Sequence, residues 1–206
     1  MPAALWPDCF VGGAICLDFV NTIDAPRTPR AQDRLEDYEA ILCWSAARST
    51  LSTMAIGRLR RLAKRRPDSA DQQWRDGLCL RRELHDLFAT VERGHDASRT
   101  LSVLNARLAT LPPLPPLSAG ESAGRFVFRG SGHALSEPFW PVLWSAAALL
   151  TSEDLARLGH CHADPCRYIF IDLSRNRSRY WCSTKICGNR VRVRRAYAAR
   201  RADAAR

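Results

Sequence analysis

Four cysteines near the C-terminal end form two pairs with the same internal spacing. Four residues separate Cys161 from Cys166. Another four separate Cys182 from Cys187, and fifteen residues lie between the two pairs. Structural Zn²⁺ takes four soft ligands tetrahedrally, and a tight turn between two cysteines delivers two sulfurs to one ion. The spacing therefore predicts one structural zinc ion. Because four thiolates leave no position for water or substrate, we expect this zinc not to be catalytic.

Two disulfides, or four unrelated buried thiols, are the alternatives for these cysteines. Residues 1–8 lack the basic leader and apolar run of an export signal, so we expect a cytoplasmic protein, in which disulfides are rare. His160 and His162 flank Cys161 and could replace a cysteine as ligand, although four cysteines already complete the set. The other cysteines show no pairing pattern and are typical of small apolar core residues. They are Cys9, Cys16, Cys43 and Cys79.

The positive charge is concentrated in the same part of the chain. Residues 161–206 carry 12 Lys and Arg against 3 Asp and Glu, whereas residues 1–160 carry 19 against 18. Nearly all of the net charge of +10 therefore lies in the tail. Such segregation favours a polyanionic partner, since phosphates attract arginines and release counterions on binding. A solvated basic tail that aids solubility is the alternative.

The residues between the cysteine pairs predict a hairpin. Aromatic and β-branched residues at 167–172 indicate a strand, turn formers follow at 173–178, and a return strand at 179–181 would lead into Cys182. In an extended segment, alternate side chains share one face. A small basic edge would then be formed by Arg175, Arg177 and Arg179.

A basic helix is predicted after the last cysteine. Gly188 suits a metal-binding turn that needs positive φ and close backbone approach, and Asn189 is a good N-cap for a helix over 190–201. Three of its arginines fall within a narrow arc, where they could meet a phosphate backbone together. The predicted nucleic-acid contacts are Arg175, Arg177, Arg179, Lys185, Arg190, Arg192, Arg194, Arg195 and Arg201, and those of the arc are Arg190, Arg194 and Arg201.

Residues 1–158 look like one compact, mainly helical domain with a short β element, followed at 159–206 by a small zinc-stapled hairpin and helix. Apolar spacing predicts helices at 33–47, 54–64, 74–91, 98–108, 138–150 and 153–158. Alternation at 125–129 predicts a short strand. The proline-rich segment 111–117 is interpreted as a stiff loop rather than a polyproline ligand. No apolar run is long enough to span a bilayer, so no membrane partner is expected.

The motif residues together resemble the CGNR zinc finger. They are Cys161-x4-Cys166, Phe170-x-Asp172-x-Ser174, Arg177-x-Arg179-x-Trp181-Cys182-Ser183 and Cys187-Gly188-Asn189-Arg190. Thr184 stands where many members have methionine, a departure that touches no ligand. Residues 12–22 resemble the opening of the ABATE domain, a mainly helical region found ahead of CGNR fingers in stress-induced transcriptional regulators. The two resemblances cover essentially the whole chain and imply a bacterial protein with a DNA-binding zinc module.

Three polar residues interrupt the apolar segment near the N-terminus. Asp18, Asn21 and Thr22 could line a ligand pocket through which the front domain regulates the finger. Alternatively, Asn21 and Thr22 cap a helix or fix a turn while Asp18 accepts backbone N–H bonds. The second interpretation is favoured, because short polar side chains serve turns and caps more often than ligands. No effector can be named from the sequence.

Three functions remain. The first and favoured one is a regulator that binds double-stranded DNA and whose front domain senses a signal or forms a homodimer. The second is an RNA-binding protein that stacks bases on Tyr168, Tyr180 or Trp181. The third is a module whose finger docks onto another protein. An enzyme is not expected, because the sequence has no Gly-rich phosphate loop, nucleophile elbow or His-Glu-x-x-His helix.

Overall fold

The computed structural model describes residues 6, 10–23, 33–114, 116–119, 126–128 and 130–204. Its described part is mainly helical, with two short antiparallel sheets. In chain order the elements are α1 (Ile15–Val20), α2 (Tyr38–Arg48), α3 (Thr53–Arg65), α4 (Pro67–Glu92), α5 (Ser98–Leu108), β1 (Leu117–Ala119), β2 (Phe126–Phe128), α6 (Trp140–Leu150), β3 (Leu158–His160), β4 (Ile169–Ile171) and α7 (Asn189–Ala204). The predicted fold class, a mainly helical front followed by a hairpin and a helix, is confirmed.

The helices of the front part follow the apolar spacing, and polar caps set several of their ends. Asp37 accepts a hydrogen bond from the backbone N–H of Ala40, so α2 begins at Tyr38, later than the predicted 33. The α4 helix begins earlier than predicted, at Pro67, because proline is well suited to a first turn, where its missing N–H is not needed. The predicted helix at 153–158 is a 3₁₀ turn over Glu153–Arg157.

The core of the front part surrounds α1, which packs against α4 and α6. Phe19 of α1 is fully buried and meets Trp44 and Phe139 edge-on, with ring centroids 5.3 and 6.1 Å away. Gly77 lets α4 come close to this cluster, because a Cβ there would lie 2.5 Å from the Phe139 ring. The six-residue α1 is therefore held by tertiary packing, since so short a helix is not stable alone.

The predicted strand at 125–129 is present as β2, and it pairs antiparallel with β1. The β1 strand begins at Leu117, the last residue of the proline-rich segment, which was predicted to be a loop. Nearby, the buried carboxylate of Glu137 accepts hydrogen bonds from the Ser131 hydroxyl and from the backbone N–H groups of Gly132, His133 and Ala134. These bonds fix the loop that leads to α6.

The hairpin of the C-terminal part is built differently from the predicted one. Strand β4 lies within the predicted 167–172, but its partner is β3, from upstream of the first cysteine pair, rather than residues 179–181. Residues 179–181 form no strand, because Arg179 donates its backbone N–H to the Asp172 carboxylate, 2.8 Å away, instead of to a neighbouring strand. Ser174 donates its backbone N–H to the same carboxylate, also at 2.8 Å. Asp172 therefore organises a turn that replaces the expected strand pairing.

The finger and the front part share one core. Ile169 and Ile171 of β4 belong to the same buried cluster as α1. The Ile171 backbone N–H donates to the Gly12 carbonyl over 2.8 Å. Gly13 has φ of +88°, and its α-carbon faces the Ile171 side chain, so a larger residue there would be strained and crowded. The expected packing of the finger against the helical region is thus present.

No helix in the described part of the chain combines the length and the apolar character needed to cross a bilayer.

Candidate metal centre and basic helix

The four predicted ligands come together in one buried cluster. The Sγ atoms of Cys161, Cys166, Cys182 and Cys187 all lie within 4.8 Å of one another. The distance from Cys182 Sγ is 3.8 Å to Cys166 Sγ and 3.5 Å to Cys187 Sγ. Tetrahedral ligands with Zn–S bonds of about 2.3 Å would place the sulfurs roughly 3.8 Å apart. The cysteines are free rather than paired as disulfides, and they are positioned to bind one zinc ion, as predicted.

Two tight turns deliver the sulfurs. In the first, the Cys166 N–H donates to the Ala163 carbonyl over 2.6 Å, and the peptide before Pro165 is cis. In the second, the Ser183 hydroxyl accepts the Ile186 N–H, and the Cys187 N–H donates to the Ser183 carbonyl. We call residues 161–168, which contain the first turn, the knuckle.

The two histidines beside the first ligand have partners outside the cysteine cluster. His160 pairs with Glu92 of α4, with 2.8 Å between Nδ1 and Oε1. His162 stacks on the exposed Tyr180 ring, with the centroids 4.1 Å apart. Neither belongs to the group of ligand atoms, in agreement with the expectation that four cysteines complete the set.

The predicted roles of Gly188 and Asn189 need correction. Gly188 does not have positive φ. A side chain at this position would be crowded, because a Cβ would lie 3.0 Å from the Trp181 ring. Asn189 has helical angles and is not an N-cap. A π-helical turn over Thr184–Gly188 runs directly into α7, and Ser183 caps that turn.

Arg179 is half-buried within the finger. Its guanidinium donates to the carbonyl oxygens of Val11 and Cys182 over 2.8 and 2.6 Å, and to those of Ile171 and Trp181 over 3.2 and 3.3 Å. It also lies over the Phe170 ring, 4.1 Å from the centroid. Desolvation lowers the pKa of Arg179. This side chain ties the finger together and to the N-terminal segment, so we leave it out of the nucleic-acid surface proposed below.

Two arginines of the predicted arc are turned towards the knuckle. Arg190 Nη2 lies 3.4 Å from the Ala163 carbonyl and 3.8 Å from Cys187 Sγ. Arg194 Nη1 donates to the Asp164 carbonyl over 2.9 Å. The third, Arg201, is exposed. Arg190 and Arg194 therefore attach the start of α7 to the knuckle, and Arg190 places positive charge beside the cysteine sulfurs.

The remaining basic residues are exposed, and no partner contacts them within the part of the chain that the structure describes. Arg175, Arg177 and Lys185 lie on the turns of the finger, and Arg177 has φ of 49°. The others lie along α7, where every residue from Arg192 to Arg201 is exposed. At 100° per residue, three of them point away from Arg190 and Arg194, at about 180°, 120° and 100° from the midpoint of that pair. We call this set the outer face; it consists of Arg192, Arg195 and Arg200.

The N-terminal polar residues serve the fold. Asp18 accepts the Gly12 N–H over 2.9 Å and the Arg48 Nε–H over 2.7 Å. Burial raises the pKa of Asp18, and Arg48 opposes that shift. Thr22 donates its hydroxyl to the Phe19 carbonyl over 2.7 Å. These contacts match the turn-and-cap interpretation.

Asn21 has a role beyond the predicted turn or cap. Its side-chain amide accepts the Ile169 N–H over 3.0 Å and donates to the Ile169 carbonyl over 2.9 Å. The side chain thus pairs with β4 as a neighbouring strand would, across 148 positions of sequence. Asn21 and Ile169 are both buried. The N–H and the carbonyl of Ile169 therefore have no water as an alternative partner.

Replacing Asn21 with alanine is expected to destabilise the protein by about 2–4 kcal/mol, because two buried backbone groups lose their partners. Urea unfolding followed by circular dichroism measures the change in the free energy of unfolding. Asn105→Ala, at an exposed position of α5, is the control and should change it by less than about 0.5 kcal/mol. Equal stability of the two variants would contradict the role given to Asn21.

The cysteines outside the cluster occupy varied places. Cys16 is buried, and desolvation raises its pKa to about 12, so its thiol stays protonated and unreactive. Cys43 is half-buried and Cys79 is exposed, so the expectation of a core position is wrong for Cys79. Cys9 lies outside the described residues.

Comparison with known families agrees with this architecture. Residues 157–201 match the model of the CGNR zinc finger. Residues 13–153 match the model of the ABATE family, described as "Putative stress-induced transcription regulator". No curated protein is similar enough to the chain to count as a match. Because the second match covers most of the chain, the chain belongs to the ABATE family, and it carries a CGNR zinc finger after that domain.

Proposed function

We propose that this protein is a transcription regulator that binds double-stranded DNA through its finger. The observation that carries the proposal is the outer face of α7, whose three arginines are exposed, have no partner within the described residues and point away from the contact with the knuckle. Guanidinium groups on a rigid helix are well suited to binding phosphates. Folding has already ordered the helix backbone, so binding loses less conformational entropy. The zinc cluster supplies that rigidity at the start of the helix.

The dimensions of α7 suit duplex DNA. Its 16 residues span about 24 Å, and a helix with side chains is about 10–12 Å wide, which is close to the width of the major groove of about 12 Å. Asp203 is the one acidic residue in its sequence, so little charge opposes approach to phosphate. Arg175, Arg177 and Lys185 on the finger turns add further positive charge.

RNA binding has less support. It would need exposed aromatic rings for unpaired bases. Tyr168 is 2% exposed, and Trp181 packs partly buried against the finger core. Tyr180 is exposed, but its ring is already stacked on His162. A finger that docks onto another protein is the remaining alternative, and the experiment below separates it from both.

The zinc is proposed to be structural and the protein not to be an enzyme, because four cysteine ligands fill a tetrahedral site. A role in the bacterial stress response is proposed from the family alone. A reducing compartment such as the cytoplasm is proposed because it keeps the free thiolates available to metal.

Selection from random pools tests the proposal. The zinc-loaded protein is incubated at moderate salt with a pool of duplex DNA and, in parallel, with a pool of structured RNA, and the bound fractions are sequenced. We expect a defined duplex motif, and two inverted half-sites would indicate a homodimer. Enrichment of RNA alone, or no enrichment with either pool, would overturn DNA binding and favour the alternatives.

A further inference from the structure

A cleft separates α4 from the knuckle. It contains a cavity of about 390 Å³, which is within the usual size range of small-molecule sites. Its lining includes Leu78, Arg81, Arg82 and His85 of α4 on one side and Arg167 of the knuckle on the other. A second cavity of about 350 Å³ also has His85 and Arg167 in its lining. The two cavities therefore adjoin each other in one cleft.

The larger cavity has a positive lining. No Asp or Glu belongs to its described lining, although three arginines do, whereas Glu92 and Asp164 line the adjoining smaller cavity. Arg82 and Arg167 are exposed, and neither has a partner among the described residues. Two unpaired guanidinium groups on opposite walls of a cavity favour an anion between them.

Arg81 adds a buried donor to the same lining. It is 5% exposed, and its Nη atoms pair with the Asp33 carboxylate and the Thr22 hydroxyl. Its Nε is buried without a hydrogen-bond partner among the described residues. Because this Nε has no exposed surface, a ligand in the cavity cannot reach it, and the unpaired positive charge of the lining comes from Arg82 and Arg167.

The rest of the lining is apolar. Val20, Ile23 and Leu78 contribute aliphatic surface, and Tyr168 contributes an aromatic ring. Such surface does not suit a strongly hydrated ion such as free phosphate, because it offers no hydrogen bonds in place of water. It suits an organic body attached to a single anionic group.

We propose that this cleft is a binding site for a small amphipathic carboxylate. The carboxylate lies between Arg82 and Arg167, and the apolar body covers Ile23 and Leu78. Bidentate pairing with arginine fixes the position of the acid group, and burial of the apolar part adds affinity.

Such a ligand would bridge the front domain and the finger. Arg167 directly follows the zinc ligand Cys166, and Asn21, also in the cavity lining, holds β4. A ligand that contacts both sides changes the preferred position of the knuckle, and hence of α7, relative to α4. Its use as a control on nucleic-acid binding rests on the function proposed above, whereas the site itself does not.

The test uses zinc-loaded full-length protein without nucleic acid. Saturation-transfer NMR and calorimetry measure binding of benzoate, phenylacetate, 1-naphthoate and octanoate, and of the neutral amide of each. We expect at least one carboxylate to bind while its amide binds about tenfold more weakly or not at all. Arg82→Ala and Arg167→Ala should each weaken binding by about tenfold. Arg61→Ala, an exposed arginine of α3 outside the cleft, is the control and should leave binding unchanged.

Two results would overturn the site: no carboxylate in the panel binds, or binding is equal in wild type and in both cleft variants. The effect on regulation is measured separately, as the affinity for the selected DNA with and without a saturating carboxylate. If the carboxylate binds but DNA affinity is unchanged, the site stands and the coupling is wrong. If the protein binds no DNA at all, the proposed function fails while the ligand measurement keeps its meaning.

Discussion

Replacing Cys182 or Cys187 with serine is expected to abolish zinc binding and to unfold the finger. Serine retains the shape of the side chain but removes a thiolate, and small metal sites are coupled to folding, with apparent binding energies of about 10–16 kcal/mol in zinc-finger peptides. The zinc content should fall from one ion per chain to near zero, as measured by elemental analysis. Hydrogen exchange should then become fast across the knuckle and α7.

Cys79→Ser is the matched control, because Cys79 is exposed and lies outside the cluster. It should retain one zinc ion and wild-type exchange. The front helices should stay protected in the ligand variants, since their core is mostly built from α1, α2, α4 and α6. A variant at Cys182 or Cys187 that keeps the finger protected without metal would rule out the role given to zinc.

The second large effect is expected from the outer face of α7. Replacing Arg192, Arg195 and Arg200 together with alanine should strongly weaken binding to duplex DNA. Each arginine that neutralises a phosphate contributes about 0.9 to the slope of log affinity against log salt. The triple variant should therefore have a slope lower by about 2.7 if all three make contact.

The matched control removes the same charge elsewhere. Arg61, Lys64 and Arg65 are exposed on α3, and their joint replacement with alanine changes the net charge equally. Anisotropy titrations of a labelled duplex at four salt concentrations compare the two variants. If both lose the same affinity, the effect comes from overall charge and not from the outer face.

The zinc ligands could be predicted from the sequence because their arrangement is local. Within each pair, one tight turn determines the distance between the two sulfurs, so the spacing alone predicts a shared ion. The helices were predictable for a similar reason, since the apolar spacing acts within a few residues. The predicted starts of α2 and α4 were off by several residues, because the apolar spacing does not include the Asp37 cap or Pro67, which set those starts.

The arginines show where local patterns fail. Alternation along an extended chain predicted that Arg179 shares an exposed edge with Arg175 and Arg177. The segment is a turn organised by Asp172, so alternation does not apply, and the side chain of Arg179 points inward to backbone carbonyls. Helical periodicity correctly placed Arg190 and Arg194 on the same side of α7, since both contact the knuckle. The sequence could not reveal that both side chains are hydrogen-bonded to the knuckle.

Contacts between segments far apart in the sequence could not be predicted either. The pairing of β3 with β4 and the clamp of Asn21 on Ile169 depend on how the finger packs on the front domain. One feature of the sequence pointed to the role of Asn21. This polar residue lies in an apolar segment, and the apolar residues beside it are buried. A buried amide needs partners, and an unpaired strand edge supplies both a donor and an acceptor.

The central claim is that zinc orders the finger so that its arginines bind a nucleic acid. The most direct test measures the affinity of the full chain for duplex DNA before and after removal of zinc with a chelator, over a range of salt concentrations. We expect tight binding only with zinc, and an affinity that falls steeply as salt rises. Equal affinity with and without zinc, or an affinity independent of salt, would contradict the claim.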